Sequence, residues 1–140
     1  MNKMMACHLI DFGNHPVLLP NTVIAEVLQI VDFQSLKASE LSWRAKNIPW
    51  YNEYLLFNTG LLTEQKAKKW YLAVLNNVIS QPKHDFVGLV FHSLPSLVRI
   101  FPEALKDTEH HSALNSKYIE QTVIYKEKIC YILNLGLLFQ

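Results

Sequence analysis

Hydrophobic positions in this chain fall into short runs divided by Gly, Pro, Asn and charged residues. Ala6–Phe12 reads as a first strand, ended by Gly13-Asn14, and His15-Pro16 reopens the chain at Val17. Gly-Asn between two apolar runs predicts a hairpin, because both residues tolerate positive φ. Val17-Leu18-Leu19 stops at Pro20, which has no N–H to give to a ladder. Thr22–Asp32 carries β-branched Thr22, Val23, Ile24, Val27, Ile30 and Val31, a composition that predicts strand. Ser35–Glu40 is more polar and reads as a connection. Leu41 to Arg44 alternates like a half-buried strand, and the next strand is expected from Ile48 to Phe57, broken by Pro49.

Thr63–Ile79 supports two readings. Ala67, Trp70, Tyr71, Val74, Leu75 and Val78 follow the spacing of an amphipathic helix. Trp70–Leu75 is equally an unbroken apolar run between Lys69 and Asn76, as in a strand buried on both faces. Beyond it, Phe86–Phe91 and Leu97–Phe101 read as strands, and Pro102-Glu103 opens one helical turn with Pro at its first position. Asp107–Ser116 is polar and reads as a loop. Tyr118–Ile124 and Lys128–Leu133 flank Tyr125-Lys126-Glu127, a hairpin turn without glycine. Many short strands with turn signals between them predict an all-β barrel or sandwich, with no internal repeat.

With 140 residues, half of them apolar, the chain is expected to form one domain with a real core. A net charge of +1 gives no polyanion-binding signal, so no nucleic-acid partner is expected. The apolar runs are too short to span a bilayer, and the first residues lack the apolar stretch and cleavage site of a secretory signal. Cys7 and Cys130 sit in apolar stretches and read as reduced, packed thiols; a disulfide between the termini is the alternative.

Candidate chemistry is sparse. Glu109-His110-His111, with Asp107 just before it, is the one His cluster, but adjacent side chains in an extended segment point opposite ways. No HExxH or CxxC accompanies it, so a solvated loop is the simpler reading. His92 beside Ser93 suggests a nucleophile and base, yet sequence neighbours rarely have that geometry and no GxSxG is present. A small metal-dependent or hydrolytic enzyme using His92 or Glu109–His111 is therefore the alternative function. Lys66, Lys68 and Lys69 read as a solvated turn, and the four glycines are too dispersed for a phosphate loop. Trp43, Arg44, Trp50, Tyr51 and Tyr54 lie within a dozen residues and are of the types that anchor protein interfaces. Trp43 or Trp50 serves equally well as core, whereas Arg44 is expected at the surface.

The order of these segments resembles CheW, the adaptor that couples chemoreceptors to a histidine kinase, and most closely its ChpC-type variant from type IV pilus chemosensory clusters. Leu18-Leu19-Pro20 and Ile24-Ala25-Glu26-Val27 match the family's early pattern. Arg44 and Ile48-Pro49 match its Arg-Gly-x-x-Ile-Pro signature, while two glycines of that pattern stand here as Ser39 and Ala45. Leu94-Pro95-Ser96-Leu97-Val98-Arg99-Ile100 is similar to a ChpC-type segment, and Leu133-Asn134-Leu135 replaces the closing Pro-Asp-Leu. The resemblance implies strand for Thr63–Ile79 and two linked five-stranded SH3-like barrels sharing a hydrophobic seam. They would divide near Asn76 (about 1–75 and 76–140), with a terminal strand free to cross over. It implies a non-enzymatic, cytoplasmic adaptor with no catalytic residue, cofactor or metal, serving chemotaxis or twitching motility. Its partners would be the kinase regulatory domain and the tip of a methyl-accepting chemoreceptor, with self-association a further expectation and no insertion into the membrane. Ile24, Glu26, Val27, Arg44 and Pro49 are the expected partner-binding residues, with Arg44 set to meet a carboxylate on a receptor helix. A degenerate adaptor that has lost one partner is a further alternative.

Overall fold

Two-residue turns set the strand order. In the computed structural model, which describes residues 4–30, 40–57, 69–107 and 116–140, β1 (Met5–Phe12) and β2 (His15–Pro20) form the expected hairpin. Gly13 at its turn has a φ of 68°, a region glycine enters without steric cost. A 3₁₀ turn at Asn21–Val23 precedes β3 (Ile24–Ile30), so this strand begins later than its β-branched run suggests. β4 (Glu40–Trp43) and β5 (Lys46–Tyr51) form a second hairpin, followed by the short helix α1 (Glu53–Phe57). Then come β6 (Trp70–Asn76), β7 (Phe86–Phe91), β8 (Ser96–Ile100), a 3₁₀ turn at Pro102–Ala104 and the two-residue β9 (Lys106–Asp107). β10 (Ile119–Tyr125), β11 (Lys128–Leu133) and α2 (Leu135–Leu138) complete the order.

Two expectations need correction. Ile48–Phe57 is not one strand broken at Pro49. β5 runs through Pro49 and ends at Tyr51, and its pairing with β7 starts only at Trp50, one residue past the missing N–H. Asn52 then turns the chain into α1, its side-chain oxygen accepting from Leu55 N–H at 3.0 Å. Asp107, expected in a loop, lies in β9; residues 108–115 lie outside the described ones. β6 and β7 pair antiparallel on either side of Asn76, from Tyr71↔Phe91 to Asn76↔Phe86.

The strands form a six-stranded sheet, β8-β1-β2-β11-β10-β9, and a five-stranded sheet, β3-β6-β7-β5-β4. The two amino-terminal strands thus join the carboxy-terminal ones, and the middle of the chain builds the other sheet. Burial explains why. On β6, Trp70, Leu72 and Val74 point into one core with Leu41, Trp43, Ile48 and Val90, inside the five-stranded sheet. Ala73 and Leu75 point the other way, into a seam with Ile10, Phe12, Val17, Leu19, Leu89 and Phe91. Both faces of β6 are buried, which is why its apolar run is unbroken and why strand prevails over the helical reading. Thr63–Lys68 lie outside the described residues. The far face of the six-stranded sheet holds a third core of Cys7, Leu18, Ile100, Val123 and Cys130, in which both thiols are free.

The seam is the largest of the three cores and draws on both sheets. Polar contacts pin its margins. Tyr51 Oη donates to Leu138 C=O at 3.3 Å, and Lys83 N–H donates to Phe139 C=O at 2.8 Å. His15 Nδ1 lies 3.0 Å from Glu53 Oε2, with its ring stacked on Phe57 at 4.4 Å. Among the described residues, no helix is long and apolar enough to cross a membrane.

Candidate functional site

β3 and β4 are the two edges of the five-stranded sheet, and side chains join them. The β4–β5 hairpin turns on Arg44 and Ala45, with φ values of 49° and 63°. These are left-handed conformations that a two-residue hairpin requires and that glycine usually supplies. The turn is therefore formed without glycine, and it projects Arg44 back toward β3. Trp43 Nε1 donates to Glu26 Oε1 at 2.9 Å, and Arg44 Nη2 donates to the same oxygen at 3.3 Å. The guanidinium also lies over the Trp43 ring, 4.8 Å from its centroid.

The three contacts differ in weight. Trp43 is buried and packs against Phe86 at 4.9 Å, so its N–H needs an acceptor and Glu26 supplies it. The Arg44 side chain is 69% exposed and that of Glu26 37%, so their ion pair contributes about 1 kcal/mol at most. A single acceptor oxygen is used, leaving most of the guanidinium's donors turned to solvent.

A bulge in β3 between Ile24 and Glu26 sets the orientation of the remaining candidates. Ile24 lies opposite Leu75 and Val27 opposite Ala73, so both half-buried side chains pack against the seam. Glu26 lies opposite Val74, on the other face. The structure therefore brings Glu26 and Arg44 into contact and sets Ile24 and Val27 together, but on opposite faces of the strand. Pro49, half-buried, pairs with Glu40, three rungs along the hairpin from Trp43 and about 10 Å away along the strand. Arg44, expected to meet a carboxylate on a partner, also has one from its own chain. No local pattern in the sequence signalled Trp43 as the second partner of Glu26.

The enzymatic candidates fare differently. Ser93 Oγ donates to Asp11 C=O at 2.8 Å, and His92 stands edge-on to Trp70 at 5.3 Å. The hydroxyl proton is thus directed at a carbonyl rather than an imidazole, and a His92–Ser93 nucleophile pair is not formed. Glu109-His110-His111 lie outside the described residues, and among the described residues no three His, Cys, Asp or Glu side chains converge to hold a metal. Sequence reasoning missed the pair of His15 and Glu53, 38 positions apart, which no local pattern signals. Beside it, burial pushes the Asp11 carboxyl up from its ordinary value, with Glu53 adding and Lys128, His92 and His15 opposing.

No family model and no curated protein matches the chain in sequence. Among solved structures, it is similar to the scaffolding protein TtCheW from Thermoanaerobacter tengcongensis, with a TM-score of 0.73 at 14% identity. The match covers 99% of this chain and 94% of that one. The fold is accordingly all-β, with two linked SH3-like barrels of the CheW-like kind.

Proposed function

We propose that this chain is a non-enzymatic adaptor of the cytoplasm that couples a methyl-accepting chemoreceptor to the regulatory domain of a histidine kinase. The observation that carries the reading is the end-to-end similarity of its fold to a scaffolding protein. The resemblance of Leu94–Ile100 to a ChpC-type segment supports a type IV pilus, twitching-motility pathway as the setting. Such a protein acts by holding partners at fixed separation, and a seam larger than either barrel's own core suits that work because it couples the barrels rigidly.

The partner surface we assign is β3 with the Arg44 turn. Glu26 and Arg44 stand on the face of β3 turned away from the seam, and Arg44 keeps donors free beyond its bond to Glu26. Ile24 and Val27, half-buried, back the strand from the seam side. Glu26 and the Trp43 ring hold the guanidinium in place, which lowers the entropy lost when a partner carboxylate binds it. Pro49 stiffens the same hairpin. A receptor helix with an acidic flank fits this surface.

The test is calorimetric titration of the chain separately with the kinase regulatory domain and with a receptor-tip fragment. Binding of both at micromolar affinity is expected. Arg44→Glu should weaken the receptor titration about tenfold or more, through loss of the pair and added repulsion, and leave the kinase titration unchanged. Binding of one partner alone would indicate a degenerate adaptor; binding of neither would defeat the reading.

A further inference from the structure

The six-stranded sheet carries a second opening, away from the Arg44 turn. β2 and β11 run parallel but share a single bridge, Tyr131↔Val17, and then diverge. Between them lies a cleft of about 320 Å³, at the lower end of the range of about 300–1,000 Å³ usual for ligand clefts. Its walls are aliphatic: Leu18, Leu19, Ile132, Leu133 and Leu135. Leu18, Leu19 and Leu133 are buried, whereas Ile132 and Leu135 are half-buried at the mouth.

The rim is where charge enters. Glu120 sits at a β-bulge, the residue left over where Ile119 pairs with Leu133 and Gln121 with Ile132. Bulges re-aim side chains, and this one places an exposed carboxylate at the cleft. Among the described residues, no Lys, Arg or His lines the cleft and Glu120 takes part in neither ion pair. The other polar side chain on the rim, Asn134, is already engaged: its side-chain oxygen caps α2 by accepting from Leu137 N–H at 3.3 Å. An apolar cavity with one unneutralised carboxylate at its lip selects a group that is aliphatic at its end and cationic beside it.

We propose that the cleft between β2 and β11 is a second protein-docking site, which takes an aliphatic side chain flanked by Lys or Arg from an extended partner segment. The aliphatic group fills the space the diverging strands leave open, and the neighbouring cation meets Glu120.

The probe is a blocked tetrapeptide, acetyl-Ala-Leu-Lys-Ala-amide, titrated into the full ¹⁵N-labelled chain and followed by amide chemical shifts. Shifts are expected at Leu18–Leu19, Glu120 and Ile132–Gly136, saturating in the millimolar range. A peptide with Glu in place of Lys should bind about threefold to fivefold more weakly, the worth of one exposed charge pair. Glu120→Lys should reverse that preference, and its unchanged melting temperature will show the chain still folded. Shifts centred elsewhere, equal binding of the two peptides, or no binding of either would overturn the assignment.

Discussion

Trp43 Nε1 donates to Glu26 Oε1 across 2.9 Å, and this bond joins the two edge strands of the five-stranded sheet. Edge strands otherwise present unpaired groups to solvent and to other chains. Loss of the acceptor would strand the N–H of a buried indole, at a cost of about 1–3 kcal/mol. Arg44, largely exposed, adds about 1 kcal/mol or less through the same carboxylate. Glu26→Ala should therefore lower stability in urea unfolding distinctly more than Arg44→Ala. Equal losses would mean that the ion pair, and not the indole bond, closes this barrel.

Ala45 occupies the left-handed region with a φ of 63°. Relieving its Cβ gains roughly 1–2 kcal/mol, and the added freedom of glycine in the unfolded chain takes back about 0.5–1 kcal/mol. Ala45→Gly should raise the unfolding free energy by a net of up to about 1.5 kcal/mol, read from the urea curve. A loss would show that the turn relies on the alanine methyl.

A Cβ at Gly13 would clash with the carboxylate end of the Glu53 side chain, and the φ of 68° is strained for any other residue. The carboxylate can retreat only by leaving His15. Gly13→Ala should cost about 2 kcal/mol or more, and Glu53→Ala in that background should recover part of it. A double-mutant cycle reads the coupling, and strict additivity would place the two residues out of contact.

His8 gives the stability a pH dependence of known sign. Its Nδ1 is buried without a hydrogen-bond partner among the described residues, and burial lowers its pKa from the ordinary 6.5. In the window below 6.5 the unfolded chain holds the proton more often than the folded one, so folding weakens as pH falls. This contribution is whole above that pH and is lost on the way down to the folded value. His8→Phe should abolish the His8 share, seen as a shallower fall of melting temperature between pH 7 and 5 than in the parent chain. An identical slope would contradict it.

The strands were largely legible because turn residues and β-branched runs act locally. Gly13-Asn14, Pro20 and the run Phe86–Phe91 each marked a real boundary. Where tertiary burial decided, local pattern was ambiguous: Trp70–Leu75 shows helical spacing, and only a sheet buried on both faces fixes it as strand. Strand partnership was not legible. That β1 and β2 pair with β8 and β11 rather than with β3 follows from which apolar faces meet at the seam, a long-range choice. In the site, the residue types near Arg44 were visible, whereas its contact with Glu26 depends on curling of a sheet whose edges lie 18 positions apart in the chain. The same reasoning predicts one cooperative unfolding transition by calorimetry, since the largest core is the seam that both sheets share. Two resolved transitions would make the barrels independent.

Whether the chain joins a receptor to a kinase, as proposed above, is read by co-sedimentation of a ternary mixture. Receptor-tip assemblies large enough to pellet are mixed with the kinase regulatory domain, with and without this chain. The regulatory domain should pellet only when the chain is present, and Arg44→Glu should return it to the supernatant. A regulatory domain that stays in the supernatant with the parent chain, while each partner is shown to be folded, would rule out the coupling function.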